Sequence, residues 1–313
     1  MKGLEISRKY YEEYGLPMLE EQFPELMPLI ACGLLGSGSE CLGFDDETSL
    51  DHDFEPGFCI FIPGEDKVDR RTAFLLERAY AKLPKEFMGL RRSLMSPVGG
   101  SRNGVQRIDE FFTEKIGSPD GILTVSQWLS LPEQALLECV NGEIFSDSYG
   151  EVTEIRQRLA FYPEDIYLKK LAGQLLLMAQ SGQYNYLRCL SHKETAAAQL
   201  AVNEFVKSTI SVIFLLNHRY QPYYKWSFRA LRQLPKLSIL AELLEYLLIT
   251  DNTGDQADEK NRVIEGICLD VIDELMNQGL TQATCQDLEN HAYSVNDGIS
   301  DPEIRNLHIL AAI

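Results

Sequence analysis

Two short groups of residues have the types and spacing needed to handle a phosphate. The first is Gly36-Ser37-Gly38-Ser39, which ends an apolar run from Leu29 to Leu35. Without Cβ atoms, Gly36 and Gly38 let the chain bend sharply and approach a ligand, and the amides and hydroxyls of Ser37 and Ser39 can donate to phosphate oxygens. Ser37-x-x-Glu40 also has the spacing of a helix capping box, so a helix is expected to begin here. The second group is Asp51-His52-Asp53, ahead of the apolar run Phe58-Cys59-Ile60-Phe61-Ile62. Placed at the start of a strand, Asp51 and Asp53 would leave one face together, because side chains alternate with a period of two. Neighbouring carboxylates repel unless a cation lies between them. Mg²⁺ fits, since it takes hard oxygen ligands and shares them with substrate phosphates.

With their surroundings, these residues are similar to a known signature. Gly38-Ser39, Gly43 and the Asp51-x-Asp53 pair resemble the Gly-Ser turn and Asp-x-Asp of the DNA polymerase beta-like nucleotidyltransferase superfamily, with one extra residue between them. The longer string adds Glu40, Leu42-Gly43-Phe44-Asp45-Asp46, Ser49 and Phe54. It resembles a bacterial family of nucleotidyltransferase-fold proteins whose C-terminal domain has no assigned function. Asn141-Gly142-Glu143-Ile144-Phe145 with Asp147, and Pro222-Tyr223-Tyr224-Lys225-Trp226, match that family too.

The resemblance implies an α+β fold: an N-terminal nucleotidyltransferase-type mixed sheet with flanking helices, then a C-terminal α-helical bundle over the substrate. It implies one or two Mg²⁺ on Asp51 and Asp53, and a nucleoside triphosphate, ATP or another, held by Gly36, Ser37, Gly38 and Ser39. A nucleoside monophosphate would pass to an acceptor hydroxyl. A third carboxylate is expected on a neighbouring strand, and Asp109 after Val105-Gln106-Arg107-Ile108 is the nearest candidate, as ligand or base. Asp109 equally suits the N-cap of the helical pattern that follows it. Related antibiotic nucleotidyltransferases steady the triphosphate with a cation from a C-terminal helix, which points to Lys225, with Arg229 one turn along. Alternatively, the segment is an aromatic helix junction carrying a surface lysine. Two other functions suit the same fold: a regulatory protein that binds a nucleotide without transferring it, or an enzyme that adds AMP to a protein hydroxyl.

Composition narrows the partners. The chain of 313 residues carries 47 acids against 29 bases, a formal charge of −18. Proteins that grip a polynucleotide neutralise its phosphates with Lys and Arg, so no nucleic-acid partner is expected, although a local basic groove could hide in that total. A small, cationic acceptor suits an acidic body better. Seven cysteines form no C-x-x-C pair and mostly sit in apolar runs, as reduced core thiols of a cytoplasmic protein would. No membrane span and no signal peptide is expected.

Periodicity supplies the elements. Residues 1–27 read as an amphipathic helix or helix pair, 66–83 as helix closed by Pro84, 95–104 as a loop, and 123–140 as helix broken at Pro132. Residues 142–152 read as a short hairpin, on which Glu143 and Asp147 share a face. From Thr153 onward the pattern is helical, which places a domain boundary near 150: residues 1–150 for the nucleotidyltransferase domain and 151–313 for the bundle. The polar stretch Asp251 to Lys260 reads as a solvated loop.

Overall fold

The computed structural model describes residues 1–46, 55–91 and 103–313. The chain has two compact units: residues 1–123 with 134–160, and residues 124–133 with 161–313.

The first unit is built on a four-stranded mixed sheet. Its strands are β1 (Ala31–Leu34), β2 (Cys59–Ile62), β5 (Gly104–Arg107) and β6 (Glu143–Asp147), in the order β5-β2-β1-β6. β3 (Glu86–Phe87) and β4 (Leu90–Arg91) pair separately as a small antiparallel hairpin. β1 runs antiparallel to β2 and β6, whereas β2 and β5 are parallel. The apolar runs become the two central strands because every residue of β1 and β2 is buried. Phe58, Ile60 and Ile62 pack on one face with Tyr10, Leu19, Leu76 and Tyr80, from helices Gly3–Tyr10, Leu16–Gln22 and Arg70–Ala81. From β2, Phe61 meets Phe111 of helix Ile108–Ile116 edge-on, with ring centroids 5.2 Å apart.

The stretch read as a hairpin is instead one strand followed by a helix. β6 runs into helix Glu151–Arg158, whose Val152 and Ile155 are buried. Asp147 ties the junction, accepting from the amides of Gly150 at 2.9 Å and Thr153 at 2.8 Å. The helical texture that begins near 150 therefore starts inside the first unit, and the second unit takes up the chain at Phe161.

In the second unit, helix Thr195–Leu216 is long and apolar, and twelve of its residues are buried. By length and composition it could cross a membrane, yet 61% of its apolar window is covered by protein. Around it run Glu164–Met178, continued by a π-helical segment Ala179–Tyr186, then Leu240–Ile249, Gly254–Asn277 and Leu288–Asp297. The polar stretch ending at Lys260 is no loop beyond Thr253. Helix Gly254–Asn277 starts there, and Ala257, Lys260 and Ile264 fall on its inward face. Lys260 is 0% exposed. Its ammonium donates to Asn252 Oδ1 at 2.7 Å, the Thr250 carbonyl at 3.0 Å and Gln199 Oε1 at 3.2 Å. Lys169, equally buried, donates to Asn296 Oδ1 and to the carbonyls of Arg305 and Leu307. Lys170 donates to the carbonyls of Leu129 and Ala312. Burial lowers the pKa of all three lysines, that of Lys260 to about 8.

Five of the seven cysteines are buried and none is disulfide-bonded. Burial pushes the thiols of Cys32 and Cys139 up to about 12, so both stay protonated.

Candidate functional site

Strand register shows which loops share an end of the sheet. Gly33 of β1 faces Cys59, the first residue of β2, and Cys59 faces Gly104, the first of β5. Leu34 faces Glu143, the first of β6. The Gly-Ser turn, the entry to β2, the entry to β5 and the Asn141-Gly142 corner therefore meet at one edge.

Asp51 and Asp53 lie outside the described residues. The strand itself begins at Cys59, and Glu55–Phe58 lead into it as irregular chain. That lead-in is firmly held. The Tyr80 hydroxyl donates to the Phe58 carbonyl at 2.9 Å and accepts from the Phe58 amide at 3.0 Å. The Ser7 hydroxyl donates to the Gly57 carbonyl at 2.6 Å. Two buried side chains thus meet backbone groups of the lead-in, and the Phe58 carbonyl also accepts from the Gly104 amide at 2.9 Å.

The turn after β1 is fully described. Gly36 and Gly38 adopt φ of +99° and +130°, conformations that favour glycine. No α-helix starts here. A single 3₁₀ turn, Glu40–Leu42, follows Ser39, which makes no side-chain cap, so the expected capping box from Ser37 does not form. Glu40 is buried, while Ser37 is exposed and Gly38 and Ser39 are half-buried. The Gly36 amide donates to Asn141 Oδ1 at 3.0 Å, and Asn141 Nδ2 donates back to the Gly36 carbonyl at 2.7 Å. Gly36 is therefore spent on holding the turn, not on touching a ligand. Among the described residues, neither the Gly38 nor the Ser39 amide donates a hydrogen bond. These two and the Ser39 hydroxyl are donors the turn can offer.

Asp109 is not part of this edge. It is exposed and lies two residues beyond Arg107, whose ladder partner is Ile62, the last residue of β2. Three strand steps, ~10 Å, separate Arg107 from the Gly104 end. Nor is Asp109 the N-cap, which is Arg107. Its Oδ1 accepts from the Glu110 amide at 2.9 Å within the first turn. It favours the helix N-terminus, beyond the end of β5 opposite the Gly-Ser turn.

Other acids at the Gly-Ser edge have structural partners. Glu143 forms an ion pair with Arg8. Asp45, 7% exposed, accepts from the Gly3 amide at 2.9 Å. Among the described residues no group of three or more His, Cys, Asp or Glu is placed to hold a metal ion.

Lys225 and Arg229 lie on helix Tyr224–Leu231 of the second unit. Both cations reach the ring of Trp226, Lys225 Nζ at 5.1 Å and the Arg229 guanidinium at 5.6 Å from its centroid. Tyr223 and Tyr224 stack beside them at 4.3 Å, and Tyr224 is 75% exposed. The helix is mounted on a polar network. The Gln221 amide donates to Glu133 Oε2 at 2.7 Å, its side chain joins Ser211 and Ser227, and Ser227 donates to the Pro222 carbonyl. Burial raises the pKa of the Glu133 carboxyl against the pull of the Gln221 amide and Lys170. From Phe205 to Ala241 the sequence contains no Asp or Glu, against 47 acids overall, so this part of an acidic chain is locally basic.

Residues 128–227 match a protein family described as a domain of unknown function, DUF4037. The match spans both the Asn141-Gly142 corner and the Tyr223–Trp226 segment. The fold is similar to the crystal structure of a nucleotidyltransferase-like protein from Exiguobacterium sibiricum. That likeness has 11% sequence identity and a TM-score of 0.39, and covers 91% of this chain and 81% of that one. No curated protein matches the chain in sequence. The α+β assignment stands on the strands and helices themselves.

Proposed function

We propose that the chain is a Mg²⁺-dependent nucleotidyltransferase that moves a nucleoside monophosphate from ATP, or another nucleoside triphosphate, to a hydroxyl of a small acceptor. One observation carries this reading. The Gly-Ser turn is held open by a glycine-specific backbone, with the Gly38 and Ser39 amides available, at the sheet edge where β2 begins just after Asp51-x-Asp53. Paired oxygen donors of this type suit Mg²⁺, and Asp51 and Asp53 are the residues proposed to hold it. When bound, the ion would neutralise phosphate charge and stabilise the leaving pyrophosphate. The Gly38 and Ser39 amides and the Ser39 hydroxyl would hold phosphate oxygens, fixing the α-phosphorus for in-line attack. Lys225 and Arg229 are proposed as cationic contacts for the phosphates. With Asp109 beyond the end of β5 opposite the Gly-Ser turn, no residue is assigned as the base. The acidic total charge keeps a cationic small molecule as the favoured acceptor, and no nucleic acid or membrane partner is invoked.

The test is titration of the full chain with ATP, with and without Mg²⁺, alongside pyrophosphate release over a panel of hydroxylated amines. Mg²⁺-dependent binding with pyrophosphate release supports transfer. Binding without release, whatever the acceptor, leaves a nucleotide-binding protein and removes the enzyme.

A further inference from the structure

The Asn141-Gly142 corner has no part in the chemistry proposed above, yet it touches the Gly-Ser turn at both ends. At the start, Asn141 makes the two reciprocal hydrogen bonds to Gly36. At the far end, the Gly142 amide donates to the Cys41 carbonyl at 2.9 Å. The corner presses so closely on the chain leaving β1 that a Cβ on Gly142 would overlap the Leu34 carbonyl oxygen. Gly142 also has φ of +63°, so glycine is required there twice over.

The corner is itself braced from behind. One guanidinium nitrogen of Arg156 donates to the carbonyls of Val140 at 2.6 Å and Asn141 at 2.8 Å, where helix Glu133–Val140 ends. Arg156 belongs to helix Glu151–Arg158, whose first turn Asp147 fixes. Asn141, Gly142, Asp147, Gly150 and Arg156 thus form one assembly, with its working end on the turn.

We infer that Asn141 is a positioning residue for phosphate binding. By occupying both polar groups of the Gly36 peptide, it locks the bend so that the Gly38 and Ser39 amides stay directed at a phosphate. The inference rests on the nucleotide reading above. A four-residue turn with two glycines has much conformational freedom to lose on binding, and a latch removes that cost beforehand. Asn suits the task because one side chain carries both an acceptor and a donor. Only ligands that carry phosphate should sense the latch, since it acts through the turn.

The experiment compares wild type, Asn141→Ala and the near-isosteric Asn141→Asp, all as the full chain. Asn141→Asp keeps the acceptor for the Gly36 amide and loses the donor to its carbonyl. Each is titrated with Mg²⁺-ATP and with adenosine, and hydrogen exchange is followed over residues 36–43. In the variants, ATP affinity should fall by about tenfold or more, adenosine affinity should not change, and exchange should rise within the turn alone. Folded variants that bind ATP as wild type does overturn the inference, as does an equal loss for ATP and adenosine. Loss of the folded state in both variants also overturns it, since Asn141 would then be a folding residue. If wild type binds no ATP, the nucleotide reading falls and takes the positioning role with it. That result is distinct from an ATP-binding wild type whose variants bind equally well.

Discussion

Asn141 and Gly36 are 105 positions apart, yet their amide groups are paired face to face, each donating one hydrogen bond and accepting one. The pair fastens the loop after β1 to the corner before β6. The neighbouring Gly142 gives a stability prediction. Gly142→Ala should cost at least about 3 kcal/mol, from strain at a positive φ and overlap with the Leu34 carbonyl. Urea unfolding measures it, and a cost near zero would show that the corner yields easily.

Tyr80→Phe removes the hydroxyl that serves both the amide and the carbonyl of Phe58. The buried Phe58 amide then loses its partner, at a cost of roughly 1–3 kcal/mol, while the Phe58 carbonyl keeps the Gly104 amide at 2.9 Å. Chemical denaturation of the variant should show a lower midpoint with little change in slope.

If the proposed scheme holds, Asp51→Asn and Asp53→Asn should each lower nucleotide transfer by at least about 100-fold, since each would remove a charged ligand proposed for Mg²⁺. Their melting temperatures should stay within about 2 °C of wild type or rise, because removing one of two like charges relieves repulsion. Normal turnover in both variants would end the enzymatic proposal.

Lys225→Gln and Arg229→Gln should each weaken ATP binding by about tenfold, the scale of one lost charge-assisted hydrogen bond. Their effect should shrink as salt is raised. The chain has two tryptophans, and Trp128 is buried, so emission from Trp226 between these cations should report ligand arrival directly. An ATP affinity insensitive to both substitutions would leave the pair as part of an aromatic junction.

Lys260 gives the helical unit a pH signature. Burial lowers its ammonium to about 8, with Asp251 opposing the shift, while an unfolded lysine titrates near ~10.4. Below about pH 8 the charge is buried in the folded chain and its desolvation cost is felt in full. Between the two values the unfolded chain binds the extra proton, so folding stability rises with pH. Lys260→Met lacks this proton, and wild type should gain on it progressively from about pH 8 to about pH 10. A stability difference that does not vary over that range would show that the folded ammonium titrates normally.

Much of the scaffold could be read before the structure. The apolar runs ending at Leu35 and Ile62 gave β1 and β2, and the periodicity after Asp66 gave helix Arg70–Ala81, capped by Asp69. What escaped was set by partners far along the chain. Lys260 looks like the end of a solvated loop because its neighbours are acidic, and only the oxygens of Thr250 and Asn252, folded back beside it, and of Gln199 make its burial tolerable. Asp109 fits the spacing of a third carboxylate, but strand register puts it beyond the opposite end of β5. Asn141 and Gly142 stand out in the sequence only through the family resemblance, and nothing local shows that they seat against a loop near residue 36. The Ser37-x-x-Glu40 spacing failed because Glu40 is drawn into the interior at the first turn.

Lys169 and Lys170 together anchor the carbonyls of Arg305, Leu307 and Ala312. The closing dozen residues, which have little helix of their own, thereby serve as counterweight to two sequestered positive charges. Removing that segment would take two of the three acceptors from Lys169 and one of the two from Lys170, so a shortened helical unit should be the less stable one.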